Sequence, residues 1–346
     1  MNYIEYAWLT LNRQCNLRCK WCYAKGKNFA ADQEMNRDLY RQLVQFLKEL
    51  GIKEIALTGG EPTCHSQLSD LVLYAKENNF ALWLITNGVK FADSLYLNEL
   101  INAGVTGINF SLKGWSEQSY IDNTGTDVFS DVVKALKNVC DSGVKYKVSF
   151  VISDENIAHL MEAVNLAINC GAKEFYFSIE HDFSNLDGKS VEYDINKISK
   201  IIDGFSECYE ELDEVTNCNF VFHQSFPLCL WNNDIIQQLT EKKQIYTSCS
   251  LLQRSGLVFE TDGSLLPCNV IHQLSLGKFG HDFCDRDSFY AFWNSDKITS
   301  IYNVFRKLPS LHCDKCDEAL QCGGGCISNW YHFSYDELLG AGLIKS

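Results

Sequence analysis

The segment Cys15-Asn-Leu-Arg-Cys19-Lys-Trp-Cys22-Tyr23 places three thiols within eight residues, directly after a strand-like run at 7–12. The spacing CxxxCxxC, followed by an aromatic, suits an iron–sulfur cubane, in which three thiolates hold three irons and leave the fourth without a protein ligand. The next cysteine is Cys64, so nothing local closes that position. The open iron is where chemistry can occur. A CxxC pair alone also suits zinc, so the rest of the chain has to decide.

At 346 residues the length suits about two domains, and 46% apolar residues with 13% aromatics suffice for a packed core. Formal charge is −14, from 44 acidic against 30 basic residues. A surface that tracks phosphates runs the other way, which argues against nucleic acid as the main partner. No basic segment precedes an apolar run at the N-terminus, and no stretch is long enough to span a membrane. The expectation is a cytoplasmic protein with no membrane partner. Sixteen cysteines in a chain this large, grouped at metal-ligand spacings, read as reduced thiols rather than disulfides. Cys140, Cys170 and Cys208 fall in helix-like patterns and read as small core residues.

Strand-like and helix-like runs alternate to about residue 190. Strands are expected at 7–12, 54–58, 81–86, 107–113, 145–152 and 174–181, with helices at 36–50, 68–78, 93–103, 127–142 and 156–170. In the first helix Leu39, Leu43, Phe46, Leu47 and Leu50 share a face, and Gly51 stops it. Strands separated by single helices demand right-handed crossovers and a parallel sheet, giving an α/β fold with a partial (β/α)6 TIM-like barrel. Chemistry in such folds gathers at the C-terminal ends of the strands. The cysteine loop, Gly59-Gly60-Glu61-Pro62 and Asn87-Gly88 follow the first three strands and open on that mouth. Two adjacent glycines let backbone approach a ligand closely, and Glu61 adds a carboxylate suited to an ammonium group. Glu180 and His181 end the sixth strand, as substrate contacts or as loop caps.

A helical bridge is expected over 191–248, with little period after residue 216. A cysteine-rich domain and tail then occupy 249–346. Cys249 precedes a hairpin over 256–267, turned at Asp262-Gly263 and ending in Cys268, which should bring Cys249 and Cys268 together. Cys313, Cys316, Cys322 and Cys326 follow as CxxCx5CxxxC, with Gly323-Gly324-Gly325 between the last two. This density with glycine turns is metal-ligand architecture, for iron–sulfur clusters or a zinc ribbon.

CxxxCxxC after the first strand and Gly-Gly-Glu-Pro after the second resemble the radical S-adenosylmethionine (SAM) superfamily over roughly the first half of the chain. The resemblance implies a 4Fe-4S cluster on Cys15, Cys19 and Cys22, the catalytic centre. Its open iron is chelated by SAM, whose reductive cleavage gives a 5'-deoxyadenosyl radical that abstracts a hydrogen atom. It further implies that Gly59, Gly60 and Glu61 hold the SAM amino group and that Tyr23 lies beside the adenine. Ser111 and Lys113 alternate onto one side of the fourth strand, with Lys113 facing the SAM carboxylate, and Asn156 stands near the ribose. Cys64 is a candidate hydrogen donor or a bystander.

Residues 249–326 resemble the SPASM extension of these enzymes, implying one or two auxiliary 4Fe-4S clusters. On that pattern Cys249, Cys268 and Cys326 serve the first cluster, and Cys313, Cys316 and Cys322 the second. No cysteine follows Cys326, so the second set lacks its last ligand. Asp336, His332, Cys284 or an open iron are the candidates, and Cys229 is a candidate to complete the first. SPASM relatives mostly modify peptides, so the implied function is a maturase of a ribosomally made peptide or protein. Its implied partners are an electron donor such as flavodoxin or ferredoxin and a separate leader-binding protein. The alternative is a radical SAM enzyme acting on a small metabolite, a sugar or nucleotide. Asn269 stands where sulfatase maturases carry an aspartate base, which disfavours that subgroup.

Overall fold

The computed structural model describes residues 4–24, 33–180, 194–223, 226–246, 249–306, 311–331 and 333–344. Among these the strands are β1 (Tyr6–Thr10), β2 (Glu54–Thr58), β3 (Ala81–Thr86), β4 (Gly107–Leu112), β5 (Lys145–Ile152), β6 (Phe175–Ile179), β7 (Phe220–His223), β8 (Ile245–Tyr246), β9 (Gly256–Phe259), β10 (Ser264–Leu266) and β11 (Gly277–Lys278). The chain divides into two compact units, Met1–Lys147 with Gln253–Ser300, and Val148–Leu252 with Ile301–Ser346.

In the first unit β1, β2, β3 and β4 are parallel neighbours, in register from Tyr6↔Glu54 and Glu54↔Ala81 to Thr86↔Phe110. Their C-terminal ends therefore point the same way, and the loops after them share one mouth. The helix Arg37–Glu49 is capped by the Asn36 side chain, which accepts from the Leu39 amide at 2.8 Å. Its buried face is Tyr40, Leu43, Val44, Phe46 and Leu47. Phe46 lies among Phe259, Phe279, Phe283 and Phe289, at ring-centroid distances of 6.3, 5.1, 5.7 and 5.4 Å. This aromatic nest binds residues 253–300 to the first helix. The expected hairpin is present as β9 and β10, with Gly263 at φ +83. The sequence did not disclose its partner: β9 lies parallel to the free edge of β1, from Tyr6↔Gly256 to Leu9↔Phe259.

The second unit pairs β5, β6, β7 and β8 in parallel. The stretch expected as a bridge of little period carries β7, the helix Asn233–Glu241 and β8. β7 is four residues long, too short to show a period, yet alternates buried and half-buried side chains. Phe205, on the helix Asn196–Val215, meets Phe222 and Trp231 edge-on at 5.0 and 5.6 Å. This cluster fixes the turn Leu228–Leu230 that precedes Trp231. Among the described residues no helix is long and apolar enough to cross a membrane.

Candidate active site

Each element of the mouth in the first unit is held by backbone. Residues 12–14 run against the turn after β2: Gly60 N–H donates to the Asn12 carbonyl at 2.9 Å and Glu61 N–H to that of Gln14 at 2.7 Å. The Asn12 amide returns a bond to the Glu61 carbonyl at 2.9 Å. A Cβ on Gly59 would stand 2.5 Å from Asn12 Oδ1, and one on Gly60 2.6 Å from the Arg13 carbonyl. Two adjacent glycines are thus required by the chain segment that leads into the cysteine loop, in addition to any ligand. Gly60→Ala presses a methyl onto backbone that has nowhere to move. It is expected to cost about 1–3 kcal/mol in a urea melt, and an unchanged midpoint would show that the loop is not seated on this turn.

From the other side, Arg18 N–H donates to the Thr124 carbonyl and Lys20 N–H to that of Asn123, both at 2.9 Å. Those acceptors end the helix Glu117–Thr124, an element the sequence reading did not anticipate. Asn123 also donates to the Lys113 carbonyl at 2.8 Å, and Lys113 N–H donates to the Tyr120 hydroxyl at 3.0 Å. The end of β4 and the cysteine loop therefore share one brace.

Inside this frame Cys15, Cys19 and Cys22 are half-buried and within electrostatic reach of one another. Burial pushes the Cys15 thiol up to about 12; the Leu17 N–H at 3.4 Å opposes this, while the charges of Glu61, Cys19 and Cys22 add to it. Cys19 is likewise raised by burial, and the Lys113 ammonium pulls it back. Lys113 thus lies within electrostatic reach of the loop. Ser111 and Lys113 are both half-buried while Leu112 between them is buried, as strand alternation requires. Tyr23 donates its hydroxyl to the Gly59 carbonyl at 3.2 Å, joining the loop to the glycine turn. Cys64 is half-buried beside the same turn, its N–H donating to the Glu61 carbonyl at 2.9 Å.

Glu61 sits differently from the expectation of a carboxylate offered to a ligand ammonium. Its side chain is only 1% exposed. One oxygen accepts from Thr63 N–H at 3.1 Å, Thr63 Oγ1 at 2.8 Å and Thr86 Oγ1 at 2.6 Å; the other accepts from Asn87 N–H at 2.7 Å. Burial raises its pKa while these four donors lower it. The carboxylate ties the turn after β2 to the end of β3, and Asn87 extends the tie to Asn16 of the loop at 2.7 Å. Glu61→Gln must turn its amide toward at least one of these donors. It is expected to destabilise the fold by about 1–3 kcal/mol; a neutral melt would show that the donors re-aim freely.

Arg13 and Glu260 carry no motif that marks them as partners. Arg13 Nε donates to Glu260 at 3.0 Å and a second guanidinium nitrogen completes the fork, with the two side chains 2% and 9% exposed. Burial works against the guanidinium's charge, but the Glu260 bond and the Tyr23, Glu260 and Cys22 charges leave its pKa raised. Cys268 follows in the same unit, its thiol 3.3 Å from Asn269 Oδ1.

In the second unit Asn156 uses its whole amide on its own turn, accepting from Ser153 N–H at 2.8 Å and donating to the Val151 carbonyl at 2.9 Å. It is 2% exposed and serves the end of β5. Glu180 donates its N–H to the Ile152 carbonyl at 2.8 Å. His181 and His332 lie outside the described residues. Cys249 opens the short helix Ser250–Gln253; burial pushes it up to about 11, the neighbouring Cys326 adds to this, and the Leu252 and Leu251 amides oppose it. Cys249 and Cys326 are thus within electrostatic reach of one another. Cys313, Cys316 and Cys322 form a second group, with Cys316 N–H donating to the Cys313 carbonyl at 3.2 Å and Ala319 N–H to that of Cys316 at 3.1 Å. Gly323, Gly324 and Gly325 all have positive φ, 56, 80 and 68, which lets the chain turn back between Cys322 and Cys326. Among the described residues no three His, Cys, Asp or Glu side chains converge on one point as a single-ion site requires.

Residues 9–167 match the Radical SAM superfamily. The matched residues make up a little under half of the chain and hold both the cysteine loop and the glycine turn. Among curated proteins it is similar to a probable GTP 3',8-cyclase of Saccharolobus islandicus, 29% identical over 170 residues, covering 49% of this chain and 54% of the relative. The chain spans about half the length of the curated relatives it matches. Among solved structures it is similar to anSMEcpe with bound AdoMet, at TM-score 0.70 and 19% identity, covering 97% of this chain and 96% of that one. It is also similar to Streptococcus suis SuiB bound to precursor peptide SuiA, at TM-score 0.67 and 17% identity, covering 95% and 73%. The fold is therefore the α/β, parallel-rich architecture of SPASM-type radical SAM structures, with a cysteine-rich C-terminal region.

Proposed function

We propose that this chain modifies a residue of a ribosomally made peptide or protein by radical SAM chemistry. The observation that carries the reading is the extent of the fold match. Likeness to the peptide-bound SuiB structure covers 95% of the chain, whereas likeness to the GTP 3',8-cyclase spans only 170 residues. The longer match takes in the C-terminal cysteines.

The three thiols of the first loop suit the cluster in number and spacing, and the Leu17 amide already donates to one of them. When bound, the cluster and SAM supply reductive cleavage to a hydrogen-abstracting radical. The chain's own residues position and shield. Cys15, Cys19 and Cys22 hold the cluster, with Lys113 offsetting their charge. The backbone of Gly59 and Gly60, with Glu61 as its brace, receives the SAM amino group, and Tyr23 lines the adenine. Ser111 faces the mouth, and Asn156 sets the turn after β5. Cys249, Cys268, Cys326, Cys313, Cys316 and Cys322 hold one or two auxiliary clusters. Flavodoxin or ferredoxin supplies the electron, a separate protein recognises the leader, and the setting is cytoplasmic.

The second reading, a small metabolite, is favoured by the name of the curated relative. A nucleoside triphosphate calls for converging cations. Near the loop, Arg13 is committed to Glu260, and Lys90 donates to the Thr63 carbonyl at 2.7 Å. Co-expression with a small precursor peptide encoded beside the gene, followed by mass measurement, separates the two. A mass change in the peptide supports a maturase; SAM-dependent consumption of GTP or a sugar nucleotide with every peptide unchanged would refute it.

A further inference from the structure

The group Cys313, Cys316 and Cys322 has a fourth thiol beside it, from a distant part of the same unit. The turn Leu228–Leu230 is fixed by the aromatic cluster of Phe205, Phe222 and Trp231, and Leu228 N–H donates to the Cys322 thiol at 3.3 Å, a buried contact across 94 residues. Cys229 is the next residue in that turn. Its surface is exposed, yet protein atoms around the thiol and then the charges of Cys322, Cys313 and Cys316 push it up to about 12. The Leu228 contact sets Cys229 next to Cys322, with Cys313 and Cys316 within electrostatic reach. Cys322 is buried and also receives the amides of Gly324 and Gly325, the kind of N–H donation that stabilises a thiolate bound to iron.

We propose that Cys229 is the fourth ligand of the cluster carried by Cys313, Cys316 and Cys322. This gives Cys229 to a set other than that of Cys249, which it was a candidate to complete. The other described candidates are engaged elsewhere. Asp336 is 87% exposed, 3.9 Å from His312, which stacks on Tyr335. Cys284 belongs to the first unit, where its amide donates to Ser288. Each thiol loses its proton on binding iron. The proposal rests on the reading of the C-terminal cysteines as iron–sulfur ligands and is independent of the substrate.

The test uses the full chain with Cys15, Cys19 and Cys22 replaced by alanine, reconstituted with ferrous iron and sulfide without oxygen. Iodoacetamide labelling read by mass spectrometry should show Cys229, Cys313, Cys316 and Cys322 becoming protected together on loading, while exposed Cys218 and Cys284 stay reactive. Cys229→Ala should keep the cluster on its three remaining thiolates but change its electron paramagnetic resonance signal, as should Cys316→Ala. The double variant, left with two thiolates, should lose one cluster's complement of iron and sulfide, whereas adding Cys229→Ala to Cys249→Ala should lose no more iron than Cys249→Ala alone. Labelling of Cys229 in the loaded protein as fast as Cys218, or Cys229→Ala with full iron and an unchanged electron paramagnetic resonance signal, would overturn the proposal. So would full iron in the double variant with Cys316→Ala. A parent that takes up no iron at all refutes the iron–sulfur reading itself, and the proposal with it.

Discussion

Cys19→Ala is expected to reduce 5'-deoxyadenosine formation, under reducing and oxygen-free conditions, to the level seen without enzyme. Three thiolates are the minimum that holds a cubane with one open iron, and the loop itself carries no fourth. Cys64 stands on the neighbouring turn, after Glu61. The bonds that seat the loop run from Arg18 and Lys20 amides to the carbonyls of Thr124 and Asn123, so removing the Cys19 thiol leaves them in place. The variant should therefore fold, with an unchanged urea midpoint and reduced iron content. Unaffected 5'-deoxyadenosine production would remove the loop from the catalytic centre.

Glu260→Ala is expected to cost about 3–5 kcal/mol, the usual penalty for stripping one partner from a buried ion pair. Arg13 is 2% exposed and is bound to Glu260 through two guanidinium nitrogens, while Nη1 is already unpaired. Removing the carboxylate leaves a cation buried next to Cys22 and Tyr23. Since whole domains are stable by only about 5–15 kcal/mol, the loss should show as a large drop in the urea midpoint. Glu260→Gln keeps an acceptor and should lose less. A loss under about 1 kcal/mol would place the pair with ordinary surface ion pairs.

Residues with a local signature were legible in the chain. Alternating runs such as 145–152 appear as strands at the expected positions, and Asp262-Gly263 marks a real hairpin. Gly59 and Gly60 were recognisable as a close approach, because only close packing or a ligand explains adjacent glycines after a strand. What they approach was not legible, since residues 12–14 carry no mark of it. The same limit explains Glu61: a carboxylate at the mouth reads as a ligand-facing group until Thr63, Thr86 and Asn87 are seen around it. Cys229 stands at no motif spacing from another cysteine, and the group proposed for it follows only from the turn held by Phe205 and Trp231. Long-range partners leave no periodic trace in a sequence.

The parallel pairing of β9 with β1 has a consequence for the order in which this protein can be made. The edge of β1 emerges from the ribosome early and waits until residue 256 has been synthesised before it is covered, as Arg13 waits across 247 residues for Glu260. Pairings of such separation form late and slowly. In the interval an uncovered strand edge and an unpaired cation are open to wrong partners, so nascent chains stalled before residue 256 should aggregate or recruit chaperones. For the same reason a fragment ending at residue 190 should be much less soluble than the whole chain. Its first strand would be born without the neighbour that completes it.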